Sequence, residues 1–244
     1  MPRKKIEETE EKIEEKEETP KIVEETIEKE KPKKTKIEKD EDFSEVKELL
    51  VPVDDYRKAG AYIGTRVITE HMRPYVYRRK ADGLAILNIE KTDEKLRAAI
   101  NLMSQFKPEE IMIVCKREAG WKSLIKINQL LNVKIFTKQY PAGIITNSIL
   151  ENFFEPKLII VVDPWLDKKA INDGLIMGIP IISFCDTNNI THNIDLIIPT
   201  NNKAEKSIVL LFYILAKHYM EKLGMKEAKE LKAEDFSSEL REEK

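Results

Sequence analysis

One stretch of the chain, residues 56–80, carries the side chains with the clearest chemical potential. It contains a single acid, Glu70, and seven cations, which are Arg57, Lys58, Arg66, Arg73, Arg78, Arg79 and Lys80. Four tyrosines lie between the cations, at positions Tyr56, Tyr62, Tyr75 and Tyr77. Clustered Lys and Arg side chains contact nucleic-acid phosphates, and interleaved aromatic rings stack on unpaired bases. The segment therefore predicts an RNA-binding surface, with a solvated loop as the alternative.

Aspartates at the ends of two apolar runs suggest a different chemistry. Asp163 follows the run 158–162, and Asp186 comes just after the run 179–184. The carboxyl edge of a parallel sheet is where open α/β folds bind ligands, so these two aspartates and Asp167 could hold a divalent ion. Each also has an ordinary role in a turn or a helix cap. We favour the structural role, and the alternative is an α/β enzyme or a sugar-phosphate or nucleotide-binding protein that uses Asp163 and Asp186.

The sequence lacks the common catalytic motifs, and its cysteines and histidines do not suggest an enzyme. The sequence has no G-x-G-x-x-G after a strand, no P-loop, no G-x-S-x-G and no H-E-x-x-H, and its 8 glycines are never adjacent. Cys115 and Cys185 lie within apolar runs and are predicted to be buried, without a metal or a disulfide. His192 and His218 are predicted to be a loop residue and a helix-face residue. We therefore predict a protein that is not an enzyme and has no cofactor, metal or small-molecule substrate.

Charge is unevenly distributed along the chain. Residues 1–48 hold 13 Lys/Arg and 18 Asp/Glu, and residues 225–244 hold 5 and 7, which leaves 24 and 19 for residues 49–224. The net charge of −2 thus hides a basic central region, which removes an objection to a nucleic-acid partner. We predict a charged, disordered extension over 1–48, a folded domain over 49–224 and a charged tail over 225–244. The chain has no apolar signal region and no run of about 20 apolar residues, which predicts a soluble intracellular protein without a membrane partner.

The elements that must position these residues are indicated by apolar patterns. Two short, nearly unbroken apolar runs, 158–162 and 179–184, flank a segment in which Ala170, Ile171, Leu175 and Met177 have helical spacing. This pattern predicts a strand, a helix and a strand. Further predicted strands cover 83–89, 110–115, 133–136 and 195–198. Further helices are predicted over 53–64, with Asp54 as a possible cap, and over 119–131 and 202–223. Another predicted helix is capped by Thr92-Asp93-Glu94 and has an apolar stripe that ends at Phe106.

Strands that alternate with helices at this spacing are typical of a parallel sheet with right-handed crossovers. The predicted fold class is α/β. It is a three-layer α/β/α sandwich with a mostly parallel sheet of the flavodoxin-like or Rossmann-like kind, preceded by the charged extension.

Residues 50–224 resemble a known family, the archaeal form of small-subunit ribosomal protein S-two, whose eukaryotic relative is called SA or the laminin-receptor precursor. The resemblance rests on short motifs in a specific order and spacing. In chain order they are Ala59-Gly60-x-x-Ile63-Gly64-Thr65, Asp82-Gly83-Leu84, Lys91-Thr92-Asp93-Glu94, Thr146-Asn147, Glu155-Pro156, Asp163-Pro164-x-x-Asp167-x-x-Ala170-Ile171, Gly178-Ile179-Pro180, Cys185-Asp186-Thr187-x-Asn189 and Ile198-Pro199-Thr200-Asn201-Asn202-Lys203. The chain departs from the family pattern at Tyr62, where His is usual, at Trp165, where Arg is common, and in the loop Gln139–Ile144.

The resemblance implies a structural protein of the small ribosomal subunit that takes part in translation in the cytoplasm. It implies a place on the solvent side of the subunit, where head meets body and near the messenger exit, with small-subunit ribosomal RNA and neighbouring ribosomal proteins as partners. On this interpretation the aspartate turns position loops and bind no substrate.

Overall fold

The computed structural model describes residues 49–225, Ala228 and residues 231–236. The predicted disordered extension, residues 1–48, lies outside the described residues. The boundaries predicted for the folded domain and the tail stay predictions. Within the described part of the tail, however, Ala228 and Phe236 are buried against the main core, and the Phe236 ring lies 6.1 Å from that of Tyr213.

The main sheet in the described residues has five parallel strands. They are β3 (Ile111–Cys115), β4 (Lys134–Thr137), β5 (Leu158–Val161), β6 (Ile181–Cys185) and β7 (Leu196–Pro199). Their spatial order is β4-β3-β5-β6-β7, and every pairing is parallel. This is the flavodoxin-like order 2-1-3-4-5, whose switch point lies between β3 and β5. The predicted fold class is confirmed.

Helices cover both faces of this sheet because alternate strand residues point to opposite faces. The helices of the described residues are α1 (Val53–Ala59), α2 (Ile89–Met103), α3 (Trp121–Leu131), α4 (Lys168–Met177) and α5 (Glu205–Lys222). The larger core contains Ile113 and Ile160 and packs against α1, α2, α3 and α5. The smaller core contains Met112 and Ile159 and packs against α4 and the loop around Ile145.

The predicted strand 83–89 does not join the main sheet. Its ordered part, β2 (Ala85–Leu87), pairs antiparallel with β1 (Val76–Arg79), a strand that the sequence analysis did not predict. A tight turn joins the two strands, with Gly83 at φ 81° and its N–H donating to the Lys80 carbonyl. Asp82-Gly83 is a common turn pair in β-hairpins, and this signal would have predicted the hairpin.

Several predicted helix boundaries were wrong for local reasons. Helix α1 ends at Ala59 because Gly60 adopts the left-handed conformation, and the Asp54 side chain makes no cap. Helix α2 begins after Asn88, whose side chain accepts from the Glu90 N–H at 2.9 Å, so Thr92-Asp93-Glu94 lies inside the helix. Helix α5 begins at Glu205.

The predicted inward face of α4 is only partly correct. Ala170 and Ile171 are buried, but Leu175 and Met177 are exposed. Gly174 takes the central buried position, where an added Cβ would lie 2.7 Å from Ile159 Cδ1. This close approach brings the helix backbone onto the sheet and turns its larger side chains outward.

Candidate nucleic-acid interface

All seven predicted RNA-binding cations are exposed, but the structure brings only some of them together. Arg73, Arg78 and Arg79 line one open groove of about 600 Å³, together with Thr69, Glu70 and two aliphatic residues. We call this surface the arginine groove. The other four cations do not line it. They are Arg57, Lys58, Arg66 and Lys80.

The backbone explains why consecutive arginines reach the same surface. Arg73 lies in a single 3-10 turn, Arg73–Tyr75, that leads directly into β1. The register of β1 against β2 shifts between Val76 and Arg78, which is a β-bulge. A bulge re-aims the side chains that follow it, and here the strand is exposed from Tyr77 to Arg79. The hairpin thus presents cations on a hydrogen-bonded strand.

The remaining cations have separate local environments. Arg57 and Lys58 lie in the last turn of α1, and the Lys58 ammonium is 3.8 Å from the Asp55 carboxylate. Lys80 Nζ lies 6.0 Å from the centre of the Tyr62 ring. The Cγ of Arg66 lies beside Gly83 in the hairpin turn.

One of the four tyrosines cannot stack on a base. Tyr56 is 1% exposed, and its hydroxyl donates to Asp93 Oδ1 at 3.1 Å. Burial, reinforced by the Asp93 carboxylate, raises the pKa of this phenol well above its ordinary value. Tyr77, by contrast, is 53% exposed and lies on β1. The interleaved pattern therefore combines a core tyrosine with a surface tyrosine.

Hydrogen bonds from distant loops fix the cationic segment to the carboxyl edge of the main sheet. The Thr69 N–H donates to the Thr187 carbonyl at 3.0 Å, and the Thr69 hydroxyl donates to the Asn189 carbonyl at 2.8 Å. The Gly64 N–H donates to the Ala85 carbonyl, which joins the segment to β2. The arginine groove is consequently attached to the turn that follows β6.

Asp163, at the same edge of the sheet, is bonded to other residues of the same chain. Asp163 is buried, pairs with Arg117 and accepts from the Trp165 N–H at 3.0 Å. The amide of Asn189 also donates to it, at 3.3 Å. Because Arg117 follows β3 and Asp163 follows β5, their ion pair occupies the switch point of the sheet.

Asp186 and Asp167 are also bonded to groups of the same chain, Asp186 to a cation and a backbone N–H and Asp167 to a backbone N–H. Asp186 is 1% exposed, accepts from the Thr187 N–H at 2.6 Å and lies 3.0 Å from Lys203 Nζ. Asp167 accepts from the Lys116 N–H at 3.1 Å, and burial raises its pKa to about 7. Within the described residues, no group of three or more His, Cys, Asp and Glu side chains is arranged to hold a metal ion.

The motif residues that follow β7 join the loops of this edge. The buried Asn202 amide donates to the Phe184 carbonyl at 3.1 Å, to the Val162 carbonyl at 3.3 Å and to Asn189 Oδ1 at 3.1 Å. Asn189 Oδ1 also accepts from the Asp186 N–H at 2.7 Å. Sequence reasoning did not assign these asparagines a role, although their recurrence after strand ends was the available signal.

The other predicted polar residues occupy the expected places. Cys115 and Cys185 are buried free thiols, and burial raises the pKa of each to about 12. His218 lies on α5 beside Glu221, and His192 lies in a loop with its ring 4.5 Å from that of His71. No helix among the described residues is long and apolar enough to cross a membrane.

The fold and the site define a flavodoxin-like α/β/α protein in which an added hairpin presents a cationic groove at the carboxyl edge of the sheet. The chain belongs to the family Ribosomal protein S2, whose model matches residues 57–155 and 149–222. This is a family of structural proteins and not of enzymes. The resemblance found in the sequence is confirmed.

Curated archaeal relatives agree with this assignment. The chain is similar to the small ribosomal subunit protein uS2 of Nanoarchaeum equitans, with 40% identity over 196 residues that cover 79% of this chain and 98% of the relative. It is also similar to the protein of the same name from Ignicoccus hospitalis, with 41% identity over 180 residues that cover 73% and 85%. A third such protein, from Methanococcus maripaludis strain C6, is 40% identical over 177 residues that cover 72% and 80%.

Proposed function

We propose that this chain is a structural constituent of the small ribosomal subunit and that it binds the rRNA of that subunit through the arginine groove. Membership of a ribosomal protein family supports a role in translation within a cytoplasmic ribonucleoprotein. The observation that carries the RNA contact is the convergence of Arg73, Arg78 and Arg79 on one exposed groove. Arginine forms bidentate contacts with phosphates, which suits such a surface.

The rest of the predicted site extends this contact. Exposed Arg57, Lys58 and Arg66 precede the hairpin, and exposed Lys80 lies within it. All four add positive charge that attracts a phosphate backbone. The hydrogen bonds from Thr69 to the turn after β6 hold the groove in place before RNA binds. Preorganisation lowers the entropy cost of binding.

We further propose that the protein contacts neighbouring small-subunit proteins at the junction of head and body. Exposed apolar side chains on the outer face of α4 support a protein-facing surface. Ile176 is 73% exposed, and Leu175 is 54% exposed. Exposed apolar groups that lie together mark interaction surfaces more often than isolated ones do.

The hydrogen bonding of the aspartates at the carboxyl edge supports a structural role over a catalytic one. Asp163 and Asp186 are each buried and each pair with a cation and a backbone N–H of the same chain. A catalytic or metal-binding carboxylate must present free lone pairs to its ligand. These two instead hold the loops that carry Trp165 and Thr187.

Sedimentation of cell extract on a sucrose gradient tests this function. The tagged full chain should travel with the small subunit, and Arg78→Ala with Arg79→Ala should move a large part of it to the top fractions. Lys229→Ala with Lys232→Ala removes the same charge from the tail and should not. A wild-type chain that stays at the top would exclude the ribosomal role, whereas equal sedimentation of both variants would place the main RNA contact outside the arginine groove.

A further inference from the structure

A pocket of about 430 Å³ opens at the carboxyl edge of the sheet, beside the arginine groove. Two large apolar side chains are exposed on its lining, Trp165 at 72% and Ile190 at 61%. Polar groups line it as well, among them Lys168, Asn172 and Asn188. Its exposed side chains Trp165, Lys168 and Asn172 belong to neither the arginine groove nor the hydrogen-bonded aspartates. An exposed tryptophan beside amides and a cation suits a ligand that is both flat and polar.

Its walls are held in place by hydrogen bonds from three parts of the chain. The backbone N–H of Trp165 donates to the buried Asp163 carboxylate, and this bond fixes the loop after β5. The Thr69 hydroxyl donates to the Asn189 carbonyl, which fixes the segment before β1 against the loop after β6. The edge-to-face rings of His71 and His192 join these last two segments again. The pocket therefore exists before a ligand arrives.

The pocket and the arginine groove are neighbours on one surface. Thr69 lines both of them, so a chain that lies in the groove passes the mouth of the pocket. Cations lie on either side of this junction, with Arg73 on the groove side and Lys168 on the pocket side. A bound polyanion can thus follow positive charge from the groove to the pocket.

We propose that this pocket receives one unpaired base of the RNA whose phosphates occupy the arginine groove, with the Trp165 indole as its stacking surface. The inference rests on the proposed function and adds the site at which a nucleotide is held. Every base has a flat π-face that stacks on an aromatic ring. The side-chain amides of Asn172 and Asn188 can donate to and accept from a base edge, and Lys168 can contact the adjoining phosphate.

An apolar side chain from a protein partner fits the same pocket less well. It would cover Trp165 and Ile190 but would give the Asn172 amide and the amide N–H groups of Asn188 no hydrogen-bond partner, since only Asn188 Oδ1 already accepts, from Lys203 Nζ at 3.2 Å. Burying amides without hydrogen bonds disfavours binding. A base satisfies both the apolar and the polar part of the lining.

The first test compares two exposed apolar side chains in the full-length protein. Trp165→Ala should weaken binding to small-subunit rRNA transcribed in vitro on the order of tenfold, the loss expected for one stacked base. Ile149→Ala is the matched control, because Ile149 is 90% exposed and does not line the pocket. Trp165→Phe keeps an aromatic face and should restore most of the affinity.

The salt dependence separates this site from the arginine groove. Stacking releases no condensed counterions, so Trp165→Ala should lower affinity without changing the slope of log affinity against log salt. The double variant Arg78→Ala, Arg79→Ala should lower both. Unchanged affinity in Trp165→Ala would overturn the base site and leave the proposed function standing if the arginine variant still binds poorly.

A direct readout uses the fluorescence of Trp165 itself. The chain has 2 tryptophans, so Trp121→Phe leaves Trp165 as the single reporter. The rRNA should protect Trp165 from acrylamide quenching, and ultraviolet crosslinking should attach it to an unpaired nucleotide. Protection by a neighbouring ribosomal protein in place of rRNA, or a crosslink only within a duplex, would overturn the proposal.

Discussion

The backbone N–H of Thr65 donates a hydrogen bond to Thr187 Oγ1, 2.8 Å away and 122 residues later in the chain. The two hydroxyl oxygens lie 2.9 Å apart, and Thr187 is fully buried. Gly64 is required next to this contact, since an added Cβ would lie 2.5 Å from Thr187 Cγ2. The position of the cationic segment is therefore determined by a turn of the main sheet.

The first prediction concerns this contact. Thr187→Val keeps the side-chain shape but removes the oxygen, which leaves the Thr65 N–H without its acceptor. The free energy of unfolding should fall by about 1–3 kcal/mol in urea denaturation, the usual cost of an unpaired buried donor. Thr187→Ser keeps the hydroxyl and should recover most of the loss. A Val variant as stable as the wild type would mean that water or another group replaces the bond.

The second prediction concerns the salt dependence of RNA binding. Each phosphate that a cation neutralises releases counterions, which contributes roughly 0.7 to 0.9 to the slope of log affinity against log salt. Arg78→Ala with Arg79→Ala should lower both the affinity for small-subunit rRNA and this slope. Filter binding over a salt series measures both.

The matched control for that experiment is Lys229→Ala with Lys232→Ala, which removes two charges from the acidic tail. It should change neither quantity. Equal weakening by both double variants would indicate long-range attraction only, and no weakening by either would mean that the segment 56–80 is a solvated surface.

The third prediction follows from the raised pKa of Asp167. The carboxyl has a pKa of about 7 in the folded protein, mainly because it is buried, against an ordinary value of 3.8. Between these two values the folded state binds a proton that the unfolded chain releases, so the contribution of Asp167 to the free energy of unfolding is greatest below about pH 4 and falls as the pH rises to about 7. Asp167→Asn should remove this part of the slope and should be the more stable protein at pH 8.

The measurement is urea denaturation of both proteins across this pH range. Asn keeps an oxygen that accepts the Lys116 N–H, so the hydrogen bond is preserved. Asp82→Asn changes an exposed carboxylate in the hairpin turn and should leave the wild-type slope intact. An Asp167→Asn protein with the wild-type pH profile would contradict the prediction.

The fourth prediction concerns the end of the folded region. Phe236 is 1% exposed and lies against Tyr213, so limited proteolysis of the full chain should leave a stable fragment that retains Phe236. Phe236→Ala should move the cut toward Gly224 and lower the free energy of unfolding by about 3 kcal/mol. Val67→Ala, at an exposed position, is the control and should alter neither. Removal of Phe236 from the wild-type chain at the earliest times would contradict this packing.

The local apolar pattern was sufficient to predict the strands of the main sheet, because buried parallel strands are short unbroken apolar runs such as 158–162. The burial of Tyr56 was not predictable in this way. It depends on Asp93, which lies 37 residues later and was assigned to a helix cap. Strand β1 was not predicted because its arginines and tyrosines were interpreted as a binding surface and not as part of a strand.

The sequence predicted which residue types form the candidate site, but it did not predict which of these residues lie together in space. The seven cations lie within 25 residues of sequence, but only Arg73, Arg78 and Arg79 line the arginine groove. The pocket beside Trp165 was not predicted at all. Its walls come from loops around Thr69, Trp165 and Ile190, which no local pattern brings together.

The position of α5 after the strands of the main sheet has a consequence for how the protein is made. This helix is synthesised after all five strands of the main sheet, and it packs against α1, α2 and α3 and covers one face of the sheet. Until residues 205–222 have left the translating ribosome, the core around Ile113 and Ile160 lacks the part of its cover that α5 supplies. Contacts between distant parts of a chain form slowly, and uncovered apolar strands aggregate. We therefore expect the nascent chain to expose apolar surface, and to need protection from aggregation, until α5 docks.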